Sequence, residues 1–501
     1  MKEQITVTVN GEPTSAVSGL TLSKMIKEET PCGGHGKCGK CKVIARGNIS
    51  EPSETEQKLL SSEELSGGVR LACLTTALGD CEIDSVFSHR QSQIIIDGAL
   101  PEFKCKPTFS NYGLAIDIGT TTLAARLYNS SGVLLSETSR LNPQSTWCAD
   151  VISRIEAALS GKGALLSEAI RNALDNITIE LALAAKINSK AIDGVCITGN
   201  TVMLTLLTED SVEPFSHAPF DVKRLFGERL TAQELSLSAL HSDTPIYLPP
   251  CISAFVGADI TCAILATELC NKNTAMLADI GTNGEMALWH DGKLTVCSTA
   301  AGPAFEGVGI SMGMRGAIGA IDKVGMLNGT ITAHVIGDTE PIGICGSGLV
   351  DAIACMLDDE IIDESGYLDD KPITIKEPVT IIAKDIRMLQ LAKSAICAGL
   401  LTLIDSKNMN AVDAFPLYIA GGFGNYLNKE SALKIGLLPR KLAQHSYAVG
   451  NAALGGAAML LLNSDMKAIA ENISQNADVL DLSANKVFSD YYINGMFLGE
   501  I

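Results

Sequence analysis

The tetrapeptide Asp-Ile-Gly-Thr occurs twice, at 117–120 and 279–282, each time at the end of an apolar run. A strand that ends in a carboxylate and a glycine turn, then leaves as a second strand or a helix, is a compact unit. Two copies mean an internal duplication at the level of the motif. From Tyr112 onward apolar strands alternate with long Ala/Leu helices, an α/β signature. The turns Gly119-Thr120-Thr121 and Gly281-Thr282-Asn283 offer backbone N–H groups and polar side chains to phosphate oxygens. Asp117 stands where it would hold a hydrated Mg²⁺ beside those phosphates. In the second copy either Asp279 or Glu285 would orient an attacking water.

A third segment, Tyr418-Ile419-Ala420-Gly421-Gly422-Phe423-Gly424-Asn425, reads as a strand ending in glycines. Gly421, Gly422 and Gly424 leave room for a flat base and a ribose against the backbone. Glycine-rich turns at 300–309 and 343–348 suit a cleft wall. Singly, each motif is weak: Asp-Ile-Gly-Thr is often a plain hairpin, and Gly-Gly-x-Gly a tightly packed helix start. Together and in this order they resemble the two phosphate motifs and the adenosine motif of the superfamily of actin, sugar kinases and heat-shock chaperones. That resemblance implies two ribonuclease-H-like lobes with ATP between them.

The N-terminal part has a different texture. Ile5, Val7 and Val9 alternate with polar residues before an Asn10-Gly11 turn, a helix is expected near 21–28, and a strand over 42–45. Of fifteen cysteines, most, such as Cys196, Cys262 and Cys397, sit among apolar neighbours and read as small buried hydrophobes. Cys32, Cys38 and Cys41, spaced C-x5-C-x2-C, and the later Cys73 do not. A distant fourth cysteine is the pattern of [2Fe-2S] sites, whose plant type is spaced C-x4-C-x2-C. The extra residue, and the segment Arg70-Leu71-Ala72-Cys73, resemble the adrenodoxin-like ferredoxins. Gly33, Gly34, Gly36 and Gly39 would let the chain wrap a cluster with N–H groups aimed at sulfur. A structural zinc site is the rival, but Cys73 lacks a second cysteine at knuckle spacing. A Rieske centre would need two histidines.

With the segments 191–203 and 385–396, the whole arrangement resembles the reductive activators of corrinoid proteins. The resemblance covers nearly the whole chain. It implies an α+β β-grasp ferredoxin-like domain over 1–87, a linker over 88–111, and an α/β two-lobed ribonuclease-H-like (actin-like) ATPase with lobes at 112–272 and 273–501. It further implies a [2Fe-2S] cluster, ATP and Mg²⁺ as cofactors, and reduction of Co(II) to Co(I) in a corrinoid protein of a methyltransferase system. An upstream electron donor is implied too. Family members often carry a longer segment between ferredoxin and ATPase that serves dimerisation. Here only about 88–111 stands there, so a homodimer is compatible with the resemblance rather than required by it.

Asp385, Arg387 and Gln390 fall near one helix face, as contacts for a partner or nucleotide or as a solvated face. The last stretch, 461–501, reads as a final strand or a packing arm. A net charge of -19 and the lack of a long basic run argue against nucleic acid or anionic membrane as partners. No run reaches the ~18 apolar residues of a membrane span, and the charged start reads as cytoplasmic rather than exported. Three other classes compete: an ATP-driven donor to a different low-potential enzyme, a small-molecule kinase with a redox-sensing ferredoxin domain (Asp150 and Asp259 being candidate bases), and a nucleotide-gated scaffold without hydrolysis.

Overall fold

The computed structural model describes residues 4–9, 11–26, 36, 39, 41–85, 101, 103–148, 150–327, 330–368, 371–409 and 415–500. The chain divides into two compact units, 1–91 with 141–170, and 92–140 with 171–501.

In the first unit, a five-stranded sheet runs in the spatial order Glu12–Val17, Gln4–Val9, Ala77–Ser85, Lys42–Ile49, Val69–Leu71. Gln4–Val9 pairs in parallel with Ala77–Ser85, and the other neighbours are antiparallel. First and last strands side by side at the centre, with helix Leu22–Ile26 after the hairpin, make a β-grasp fold. Alternation builds the core: Ile5 and Val7 point inward onto Leu22, Val43, Leu71 and Ile83 while Gln4 and Thr6 face water. The strand expected over 42–45 extends to Ile49. In 141–170 the first α-helix, Val151–Ala157, is capped by Asp150, which accepts a hydrogen bond from Ser153 N at 2.7 Å. The fully buried Arg154 of this helix donates to Gln144 Oε1 at 3.0 Å.

The second unit holds two six-stranded sheets that share a five-strand topology. In one, Tyr112–Ile118, Thr122–Asn129 and Leu134–Leu141 lie side by side, and Ile192–Gly199 and Pro245–Leu248 continue in parallel on the other flank of Tyr112–Ile118. In the other, Thr274–Ile280, Gly284–His290 and Lys293–Thr299 form the meander, with Leu417–Ala420 and Ser446–Gly450 parallel beyond. This is the ribonuclease-H-like order twice over, so the duplicated motif is the visible part of a duplicated lobe. Helices Ala258–Ala266 and Ala452–Leu462 pack on each other within one core fed by both sheets. Their approach is close: a Cβ on Gly456 would stand 2.0 Å from the carbonyl oxygen of Cys262.

Part of the segment before Tyr112 is anchored to this unit. Lys106 N and Thr108 N donate to the carbonyls of Leu462 and Leu461, and the Phe109 ring fills space left by Gly113 and Gly194. The possible strand at 94–96 lies outside the described residues. Helix Ala383–Ser406 has the length and hydropathy of a membrane span, yet 83% of its apolar window is buried within the protein. Its face is not solvated as expected for 385 and 390. Asp385 is buried and accepts from Ser311 N (2.7 Å) and Ile382 N (3.1 Å). Gln390 is buried and donates to Ser365 O (2.9 Å) and Met496 O (2.8 Å). Only Arg387 of the three is exposed. The last stretch is a packing arm: helix Lys486–Asn494 lies on helix Ala383–Ser406, and 491–497 is helix and turn rather than strand.

Candidate functional site

Asp117 and Asp279 end equivalent strands of the two sheets, Asp117 opposite Thr198 and Asp279 opposite Ala420 in the parallel pairings. Glu285 lies directly across the hairpin from Asp279. Asp259, in the first turn of helix Ala258–Ala266, joins them. The four carboxylates are half-buried, and like charges brought this close disfavour ionisation. Burial pushes Asp117 up to about 7; the Asn451 amide opposes this and the Asp279 charge adds to it. Asp279 rises to about 6, from burial and then the charge of Glu306. Asp259 and Glu285 are also raised, first by burial, then by the Asp117 and Asp279 charges for Asp259 and by the Asp259 and Asp279 charges for Glu285.

The turns are held by residues the motif reading did not single out. Asn451 caps helix Ala452–Leu462 through Leu454 N (2.8 Å) and donates its amide to Asp117 Oδ2 (2.9 Å). Asn200 caps helix Thr201–Thr208 through Met203 N (2.9 Å) and donates to Thr120 Oγ1 (3.0 Å). The signal available for both was a Gly-Asn pair standing before an apolar helix, at 199–200 and 450–451. Glu306 accepts from Thr121 Oγ1 and from Thr282 Oγ1, each at 2.7 Å.

The glycines divide by cause. Gly119 turns the first hairpin, since a Cβ there would meet Thr122 O at 2.7 Å. Gly421 takes a left-handed φ of +88°, and a Cβ would sit 2.9 Å from Asp279 Oδ1. Gly422 faces open space and Gly281 has only ordinary contacts around it, whereas Gly424 packs on Ile419. In 343–348, Gly346 and Gly348 are required by the backbones of Phe305 and Ile321, so packing accounts for those two glycines. Asn283 accepts Gly281 N through its carbonyl at 3.0 Å and places its side chain on Glu285. Among the described residues no three Asp, Glu, His or Cys side chains converge as a metal cage. Carboxylates that do not close into a cage would suit a Mg²⁺ that keeps waters and leans on phosphate oxygens.

In the first unit Cys41 and Cys73 meet at one end of the sheet, both buried, with Cys73 N donating to Cys41 Sγ at 3.5 Å. Ala72 N donates to Cys41 O at 2.7 Å, so Lys42–Ile49 and the Arg70-to-Cys73 segment are stitched together there. Arg70 is fixed by two 3.1 Å bonds to buried Glu56, which also accepts from Leu71 N and Thr75 Oγ1. Burial alone would raise the Glu56 carboxyl, but these bonds and that from Ser53 hold it below the usual range. Gly36 and Gly39 have φ of +67° and +65°, as a tight wrap requires. Cys32 and Cys38 lie outside the described residues. A buried thiol pair receiving a backbone N–H fits half of a four-thiolate iron–sulfur site.

Duplicated ribonuclease-H-like lobes with paired phosphate turns define an actin- and sugar-kinase-type ATPase, here fused to a β-grasp ferredoxin-like module. Residues 112–272 match the family described as the RACo middle region, and 273–500 that described as the C-terminal domain of RACo, the ASKHA domain. The corrinoid activation enzyme RamQ of Eubacterium limosum is 35% identical over 443 residues, 81% of this chain and 73% of that protein. The [Co(II) methylated amine-specific corrinoid protein] reductase of Methanosarcina barkeri is 26% identical over 421 residues, 76% of each chain. The solved reductive activator for corrinoid, iron-sulfur protein superposes with a TM-score of 0.73 at 26% identity, covering 99% of this chain and 98% of that one. The chain belongs to the RACo family of reductive activators of corrinoid proteins.

Proposed function

We propose that this protein uses ATP to drive an electron from an iron–sulfur cluster onto the Co(II) corrinoid of a partner protein, returning it to Co(I). The observation that carries the reading is one chain holding both halves: a buried cysteine pair at the end of a β-grasp sheet, and paired phosphate turns over four carboxylates. Cys32, Cys38, Cys41 and Cys73 would hold a [2Fe-2S] cluster, which supplies one-electron chemistry at a potential near about -400 mV in plant-type sites. The Co(II)/Co(I) couple lies lower, so the transfer runs uphill. Nucleotide binding supplies the bias if ATP-bound and ATP-free states differ in affinity for the corrinoid partner.

The polyphosphate would lie on Gly119, Thr120 and Thr121 from one lobe and Gly281, Thr282 and Asn283 from the other, with the nucleoside along Gly421 and Gly422. Asp117 and Asp279 would hold the waters of a Mg²⁺ that neutralises phosphate charge. Asp279 or Glu285 would take the proton of the attacking water; burial raises both carboxyls, Asp279 to about 6. An upstream donor would re-reduce a cluster held by these cysteines, and the setting would be the cytoplasm.

The test is anaerobic: protein, reductant, ATP with Mg²⁺, and a Co(II) corrinoid protein, followed by visible spectroscopy. Growth of the Co(I) band only with ATP supports the reading. Steady ATP hydrolysis and a [2Fe-2S] spectrum without Co(I), across several corrinoid proteins, overturns it. A kinase is the second reading, favoured by Asp259 in the cleft; Asp150 serves as a helix cap. A phosphorylated small-molecule product would establish it.

A further inference from the structure

Glu306 has a geometry that the ATPase reading leaves unexplained. Its two carboxylate oxygens accept hydrogen bonds from two threonines that stand one place apart in the duplicated turns. Oε2 takes Thr121 Oγ1 and Oε1 takes Thr282 Oγ1, both at 2.7 Å. Those hydroxyls are the groups that the phosphate reading assigns to polyphosphate oxygens. A carboxylate and the end of a phosphate share what matters here: negative charge and two oxygens that accept.

The turn carrying Glu306 is rooted in the second lobe. Gly302 N donates to Thr282 O at 2.9 Å. Phe305 is buried and stacks on Phe423 of the adenosine segment, with ring centroids 4.5 Å apart. Gly307, at a φ of +76°, closes the turn where a Cβ would meet Met314 backbone at 2.5 Å. Backbone and packing therefore fix where Glu306 points. Its bond to Thr121 reaches across to the first lobe.

We propose that Glu306 is an internal stand-in for the terminal phosphates of ATP, occupying both phosphate turns until nucleotide displaces it. The inference rests on the ATP reading and adds what sets its affinity. Entry of the polyphosphate breaks both threonine bonds and so removes one side-chain bridge between the two turns, while the Asn451–Asp117 bond is a separate link from the second lobe to the first motif. Nucleotide occupancy is thereby tied to how the lobes are held. The competition is specific to phosphates beyond the first, because AMP does not reach the turns.

The test measures binding of a non-hydrolysable ATP analogue, ADP and AMP, each with Mg²⁺, to wild type, Glu306→Gln and Glu306→Ala by calorimetry. Loss of two charge-assisted bonds that the ligand must otherwise break makes the triphosphate bind roughly tenfold tighter in Glu306→Ala, with AMP unchanged. Glu306→Gln, nearly isosteric, removes the charge and keeps the proposal testable if the alanine variant misfolds; it too binds the triphosphate more tightly. Hydrogen exchange supplies a second readout: amides of 119–122 and 281–284 exchange faster in nucleotide-free Glu306→Ala than in wild type, and alike once the analogue saturates both. Triphosphate affinity unchanged or weakened in both variants overturns the stand-in and leaves Glu306 as a binding group. Wild type that binds none of the three nucleotides overturns the ATP reading itself.

Discussion

At the scale of single residues, the site is a set of charges that oppose one another until something positive arrives. Asp117 and Asp279 are raised to about 7 and about 6 from an ordinary 3.8. A carboxyl raised in the folded state binds a proton there that the unfolded chain has released. Between pH 4 and 7 the native state holds more protons, so the contribution of these groups to stability is present at low pH and lost as pH rises. In nucleotide-free, Mg²⁺-free protein, Asp279→Asn should therefore melt higher than wild type at pH 8, and the gap should narrow below pH 6 and close only toward pH 4. Thermal melts of both across that range check it; a constant gap would mean Asp279 is not under this strain. The aspartates and threonines were legible because they sit inside short motifs whose chemistry is local. Asn200, Asn451 and Glu306 were not, because their roles come from helix caps and a turn that the chain brings back from elsewhere.

At the scale of elements, two helices argue from packing. Gly456 lies at the closest approach of Ala452–Leu462 to Ala258–Ala266, and any Cβ would run into Cys262 O. Backbone cannot yield as a side-chain tip can, so Gly456→Ala should cost about 1–3 kcal/mol and loosen the helix that presents Asn451; urea unfolding checks the cost. In helix Ala383–Ser406, Lys393 is fully buried, its ammonium donating to Phe497 O of the closing arm. Desolvation brings Lys393 down to about 8 from 10.5. Between those values the unfolded chain binds more protons, so the Lys393 contribution to stability should rise with pH from 8 to 10.5, opposite in sign to that of buried thiols such as Cys397, raised to about 12. Lys393→Met should remove that rise, as denaturant titrations at pH 7.5, 9 and 10.5 would show. The sequence pattern placed Asp385 and Gln390 together and stopped there. A helix buried nearly all round gives no polar face to read, and the arm that covers it comes from about a hundred residues later in the chain.

At the scale of the whole molecule, duplication was the most legible property, because each lobe repeats strand, carboxylate, turn and strand in register. The proposed separation of redox from nucleotide chemistry rests on cysteine spacing and phosphate turns, which use different residue types. That separation predicts a double dissociation. Cys41 and Cys73 stand together in the first unit, so Cys73→Ala should abolish the iron–sulfur absorbance and all Co(II) reduction. Nucleotide affinity, which the proposed turns of the second unit would set, should stay within about twofold of wild type. Asp279→Asn should do the reverse: a normal iron–sulfur spectrum, with ATP turnover lowered by about 10²-fold or more if the carboxylate serves the attacking water. Neither variant alone should yield Co(I), because an uphill transfer needs the donor and the bias together. Mixing the two variants separates two arrangements. Recovery of Co(I) would mean that one copy's cluster serves another copy's ATPase; no recovery would mean that each chain works on its own. A Cys73→Ala protein that kept reducing the corrinoid would remove the cysteine site from the mechanism, whatever the ATPase did.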